Sequence, residues 1–301
     1  MKSISIQAQN KLNLAGKLLD VTFGDGKLAD GRNYERATVT IRVTQTYNGK
    51  EETSEIPVGL FATEYTSTGK PNPAMKSIRD LKLLPTAQNV GIDNAANVRL
   101  TGATLQENNF VSRSGQLING WQIRGSFVNA AKVADVASFV TDIYIMKMYE
   151  EEDREGEATG RLIVQGGIVQ YGGRLDVVNF VVEGSDKVEY ISRNWEVNTT
   201  VTVKGRIRVT SVEEAPSATS GWGEEVPETT TRYIRELVIT TGDDEPKEED
   251  FAYDPVEIKK AFNERKAAIE QMQINARATA SKQGAGSANA PEATANKYSW
   301  E

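Results

Sequence analysis

Cysteine and histidine are both missing from this sequence of 301 residues. Without cysteine there are no disulfides and no thiolate metal sites. Without histidine there is no Ser-His or Cys-His nucleophile pair, and the commonest metal ligand and proton shuttle is gone. Long apolar runs are missing too: nothing approaches the ~18 residues of a membrane span. The opening MKSISIQAQNKLNLAG lacks the apolar core of a signal peptide. These absences lead us to expect a cytoplasmic protein (host cytoplasm if the chain is viral) that binds rather than catalyses, with no cofactor and no metal. Carboxylate-only or lysine-based chemistry remains open. Aromatics are sparse, at 7% with four tryptophans, so each exposed one counts.

Charge is present but uneven. Residues 1–149 hold 17 basic and 13 acidic side chains, residues 150–250 hold 11 and 23, and residues 251–301 hold 7 and 6, within a net charge of −7. A basic first half can meet a polyanion while acidic segments lie elsewhere.

The clearest local pattern is strict alternation. In Val201 to Thr210, VTVKGRIRVT, the apolar positions Val201, Val203, Ile207 and Val209 interleave with Lys204, Arg206 and Arg208. A period of two places these sets on opposite faces of a strand. Gly205 falls in an apolar slot, where a missing side chain lets a strand bend. The phrase Val98 to Glu107 repeats this with Gly102. Glu35 to Thr46 alternates as cleanly, and Asn48-Gly49 then marks a hairpin. Leu12 to Phe23 is broken by Gly16, and Leu162 to Gln170 by Gly166 in the same relative place. Further strands are expected at Arg174–Glu183, about Lys187–Ser192 and Arg232–Thr241. A short helix is expected over Ala74–Leu84, and Ala137–Tyr149 should close the first unit. The acidic stretches 150–157 and 242–250 read as linkers. Asp254, Pro255 and Glu257 form the start signal of a helix, with Asp254 and Glu257 as a capping box, and Ile258, Phe262, Ile269 and Met272 give it one apolar face. After 278 the sequence is small and polar until KYSWE at 297–301.

The order of these segments resembles tandem OB-folds, and with the acidic-aromatic tip the chain resembles single-stranded DNA-binding proteins of phage replication or recombination, with replication protein A as a distant analogue. The resemblance implies an all-β chain of two OB-like five-stranded Greek-key barrels, one over 1–149 with an inserted helix and one over 158–241. A C-terminal helix at 254–278 and a disordered tail at 279–301 would follow. It also implies sequence-independent binding of single-stranded DNA through basic grooves and aromatic stacking. On that map Lys27, Arg32, Tyr34, Arg36, Arg42 and Tyr47 line one groove, with Arg113, Trp121 and Arg124 in a later hairpin. The second unit offers Tyr171, Arg174, Trp195, Lys204, Arg206, Arg208 and Trp222. Tyr298, Trp300 and Glu301, with the C-terminal helix, would meet replication or recombination proteins. Plainer readings stand beside these. Arg36 and Arg42 can decorate a solvated face, and Trp121, alternating with Leu117, Ile123 and Phe127, can be core. The whole chain can be a structural or assembly protein of virion type, or a nuclease using Asp20, Asp25 and Asp30.

Overall fold

The structure, a computed structural model, describes residues 1–112, 115–153, 155–214 and 230–284. Alternation drives its architecture. Strand β1 (Asn10–Lys27) pairs antiparallel with β2 (Asn33–Tyr47), which pairs with β3 (Lys50–Thr63) through the Asn48-Gly49 turn, both of whose residues have positive φ. Helix α1 (Pro73–Asp80) follows, capped by Asn72, whose side chain accepts from the Ala74 N–H at 3.0 Å, and then the single turn α2 (Ala87–Val90). Strands β4 (Asn97–Thr101) and β5 (Thr104–Val111) form one path bent at Gly102, whose φ is +64°. Strands β6 (Leu117–Gly125) and β7 (Phe127–Ala130) form the last. β6 runs parallel to β3, β5 pairs with β6, β7 with β4, and β4 with β1. The ring therefore closes in the order first, second, third, fifth, fourth. Its core is the inward set of each strand, among them Leu14, Leu18, Val39, Ile41, Ile56, Val58, Leu105 and Ile123, all fully buried.

A second ring repeats this order. Strand β8 (Val136–Glu152) pairs with β9 (Ala158–Val169), and β9 with β10 (Leu175–Val182). Helix α3 (Ser185–Asn194) leads into β11 (Thr200–Glu214), which pairs with β12 (Thr230–Gly242). β10 and β12 are parallel, and β11 returns to β8. The fold is all-β, two OB-like barrels and a C-terminal helix.

Pairing corrects three expectations. Ala137–Tyr149 does not close the first unit: within β8 it is the first strand of the second barrel, which therefore starts before 158. The described residues of the acidic stretch 150–157 belong to the β8–β9 hairpin, not to a linker, and Asp153 donates its N–H to the Glu157 carbonyl at 2.9 Å. Gly166 accordingly lies on a second strand while Gly16 lies on a first; only Gly102 and Gly205 occupy matching fourth strands. Lys187–Ser192 is helical. Val188, Ile191 and Trp195 recur every three or four residues and turn one face to the core, a period that a strand cannot satisfy.

The barrels are fused. Asn10–Ala15 of β1 hydrogen-bonds with Val136–Thr141 of β8, so the twelve strands among the described residues share one sheet. The β2–β3 hairpin also reaches the second barrel, where Ser54 Oγ accepts from the Val209 N–H at 3.1 Å. Helix α4 (Pro255–Gly284) extends six residues past the expected end. Asp254 caps it by accepting from the Val256 N–H at 2.8 Å. Glu257 does not complete a capping box; it accepts from the Ile4 N–H at 2.8 Å and ties down the N-terminal segment. Buried Ile258 and Ala261 dock the first half of α4, and Arg265 grips Glu107 of β5 (Nε to Oε2, 2.7 Å). The expected tail from 285 onward lies outside the described residues.

Candidate nucleic-acid interface

The outward face of the first barrel combines aromatic and cationic side chains. Three rows run across it. Gly26 of β1 is opposite Tyr34 of β2. Gly24 is opposite Arg36, and Arg36 opposite Phe61 of β3. Thr38 is opposite Gly59, and Gly59 opposite Arg124 of β6. The glycines have a steric job. A Cβ on Gly26 would lie 2.7 Å from the Tyr34 hydroxyl, one on Gly24 would lie 2.8 Å from Arg36 Nε, and one on Gly59 would lie 3.0 Å from Arg124 Nη1. Each missing side chain lets a neighbour lie flat along the sheet. Tyr34 and Phe61 stack with centroids 5.3 Å apart and planes 30° apart, and Phe61 keeps 47% of its surface exposed. Partial burial pulls the Arg124 pKa below the usual arginine value without threatening its charge near neutrality. Neither Arg36 nor Arg124 has a carboxylate partner among the described residues. Phe61 was not anticipated from sequence. Its signal was there, since it shares the register of Glu55, Pro57 and Gly59, where a large apolar ring is out of place on a face turned to water.

The remaining expected residues are scattered rather than gathered into a groove. Lys27 ends β1, exposed. Arg32 folds back on Asp30 at 2.7 Å, and Arg42 on Glu55 at 2.6 Å. Tyr47 sits at the far end of β2, under the Arg206 guanidinium at 4.3 Å. Trp121 is 8% exposed and lies beneath the Arg235 guanidinium at 4.5 Å, so it is core; burial pulls that arginine's pKa down to about 10. Trp195 is 3% exposed and donates its indole N–H to the Asp243 carbonyl at 2.9 Å. Tyr171 stands out from the β9–β10 turn, 88% exposed and alone. Arg174 pairs with Asp176 at 3.0 Å. Lys204 is exposed on β11. Arg113, Trp222, Tyr298, Trp300 and Glu301 lie outside the described residues.

Arg206 and Arg208 correct the expectation most sharply. Both project outward from β11 as alternation requires, but into a lattice of acids. Glu183 accepts from Arg206 at 3.2 Å and from Arg208, Glu236 accepts from Arg208 Nε at 2.8 Å, and Glu52 caps Arg206. Arg161 joins through Glu236 at 2.8 Å and Glu151 at 2.5 Å. Three guanidiniums meet four carboxylates, so Arg161, Arg206 and Arg208 are held by acids rather than left free for a phosphate. Periodicity gave the direction of these arginines; their partners come from strands far away in sequence.

A family model described as YorF matches residues 8–275. Among solved structures, the wild-type single-stranded DNA binding protein from Thermus aquaticus is similar in fold, with a TM-score of 0.51, 10% identity and coverage of 81% of this chain and 95% of that one. A deletion mutant of the same protein gives a TM-score of 0.51, 13% identity and coverage of 81% and 97%. None of the curated proteins matches this chain.

Proposed function

The chain belongs to the YorF family, and we propose that it binds single-stranded DNA without a chemical step, serving replication or recombination. One observation carries this reading: the half-exposed Tyr34–Phe61 stack, set between the unpaired cations Arg36 and Arg124 on a barrel face flattened by glycine. A single strand needs flat partners for unstacked bases and cations for its backbone. An aromatic face is of little use to a duplex, whose bases are already stacked. Each stacked base contributes about 1–3 kcal/mol, so two rings outweigh one surface ion pair of about 0–1 kcal/mol. The Thermus protein of similar fold is a single-stranded DNA binder by its name, which supports the same assignment. The binding face lies on the first barrel, because Arg161, Arg174, Arg206 and Arg208 of the second barrel are already paired with carboxylates.

The test is fluorescence anisotropy of a labelled oligo-dT over a salt series. Anisotropy follows the DNA directly and does not depend on Trp121 and Trp195, which are both buried. Saturable binding should weaken as salt rises, by roughly 0.7 log units of affinity per log unit of salt for each phosphate contacted. Arg36→Ala with Arg124→Ala should lower that slope by about 1.4. Tyr34→Ala with Phe61→Ala should weaken binding by about two orders of magnitude or more with the slope little changed. A protein that fails to bind at ~50 mM salt would instead fit the structural or assembly reading.

A further inference from the structure

Beside the aromatic stack, and sharing Tyr34 and Arg36 as walls, a cleft of about 300 Å³ opens between the end of β1 and helix α1. That is at the lower end of the size at which small-molecule pockets begin. Its floor is apolar: Met75 and Ile78 of α1 are buried, and the ring of Phe23 is 39% exposed with Lys82 Nζ 5.2 Å from its centroid. Its charges cancel. Arg36, Arg79 and Lys82 line it together with Asp25, Glu35 and Glu64, and Arg79 already binds Glu35 at 2.6 Å. A cleft with no net charge, an aromatic wall and both donors and acceptors at its rim does not suit a phosphate. It suits a flat, neutral, polar-edged group.

We propose that this cleft takes one nucleobase of the bound strand, and that it prefers guanine to thymine. The inference rests on the single-stranded DNA reading above. Glu64 is the discriminating residue. Its Oε2 accepts from Asn33 Nδ2 at 2.9 Å, which fixes the carboxylate, and Oε1 has no hydrogen-bond partner among the described residues. Guanine presents a donor edge, N1–H and N2–H₂, to such a carboxylate, and an acceptor edge, O6 and N7, to a cation such as Lys82. Thymine offers one donor between two carbonyl oxygens, which a carboxylate repels. Bases of a single strand can be splayed out and read on both edges in this way.

The experiment is competition, by anisotropy, between a short all-thymine oligonucleotide and the same strand with one central guanine. The guanine strand should bind about tenfold tighter to the native protein, as one good bidentate contact predicts. In Glu64→Gln the ratio should fall to about twofold, and Lys82→Met should lower it as well. A ratio near one in the native protein, alongside salt-dependent thymine binding, overturns the base pocket and leaves the DNA interface standing. A ratio that survives both substitutions also overturns it. If the all-thymine strand does not bind at any salt, the interface itself is wrong and the pocket falls with it.

Discussion

Gly205→Ala is expected to lower stability by about 3 kcal/mol or more and the melting temperature by about 10 °C. The new Cβ would lie 2.2 Å from the Val238 carbonyl oxygen and 2.4 Å from Phe139 Cζ. Real Cβ atoms do not approach other atoms that closely. The oxygen belongs to the β12 backbone, which is held in the ladder, and the ring is packed against Phe180 in the core of the second barrel. Neither can retreat without opening the sheet. The register of β11 against β12 shifts at Lys204/Gly205, as expected where a strand bends to close a small barrel. Gly120→Ala is the control: its Cβ would meet nothing nearer than the Asn108 oxygen at 3.4 Å, and its cost should be within about 0.5 kcal/mol. Urea unfolding of both variants, compared by midpoint, checks the difference. A Gly205→Ala protein as stable as the control would mean that close approach of strands is not what this glycine serves.

Gly205 was legible from sequence because a glycine in an apolar slot of an alternating strand has few explanations. The same holds for the inward sets of β2 and β11 and for the Asn48-Gly49 hairpin. Which strand belonged to which barrel was less legible. β8 hydrogen-bonds with β1, β9 and β11, and no local pattern states a partner about 125 residues back. The acids of 150–157 looked like a linker because a tight hairpin and a linker share polar composition; only the pairing of β8 with β9 separates them. In the site, Tyr34, Arg36 and Arg124 could be named because an outward position and a residue type were enough. Phe61 could have been named by the same rule. Arg206 and Arg208 show its limit. An outward arginine is free only if no acid folds over it, and Glu52, Glu183 and Glu236 reach it from β3, the end of β10 and β12.

That lattice carries the second large effect. Glu183→Ala should cost about 2–3 kcal/mol at pH 7, less than the ~3–5 kcal/mol of a fully buried pair because the Glu183 side chain is 29% exposed and partly screened by water. The loss comes mainly from what is left behind. Arg206 and Arg208 are only 11% and 18% exposed at their side chains, and a guanidinium short of an acceptor in that setting cannot recover its hydration. Burial by itself would raise the Glu183 pKa, but Arg208, Arg206 and Arg161 outweigh it and hold the carboxyl below the usual glutamate value of 4.5. Glu151 is held low in the same way, first by its hydrogen bond from Arg161. A carboxyl with a depressed folded-state pKa stabilises the fold above its unfolded value and loses that contribution as pH falls through the folded one. The stability gap between native protein and variant should therefore be constant from about pH 6 to pH 8 and shrink from about pH 4.5 downward. Urea midpoints across that range measure it directly. A gap that stays open below the folded-state pKa would place the loss in packing rather than in the ion pairs, and one under ~0.5 kcal/mol at neutral pH would show these arginines to be solvated rather than held, and free after all to meet a phosphate.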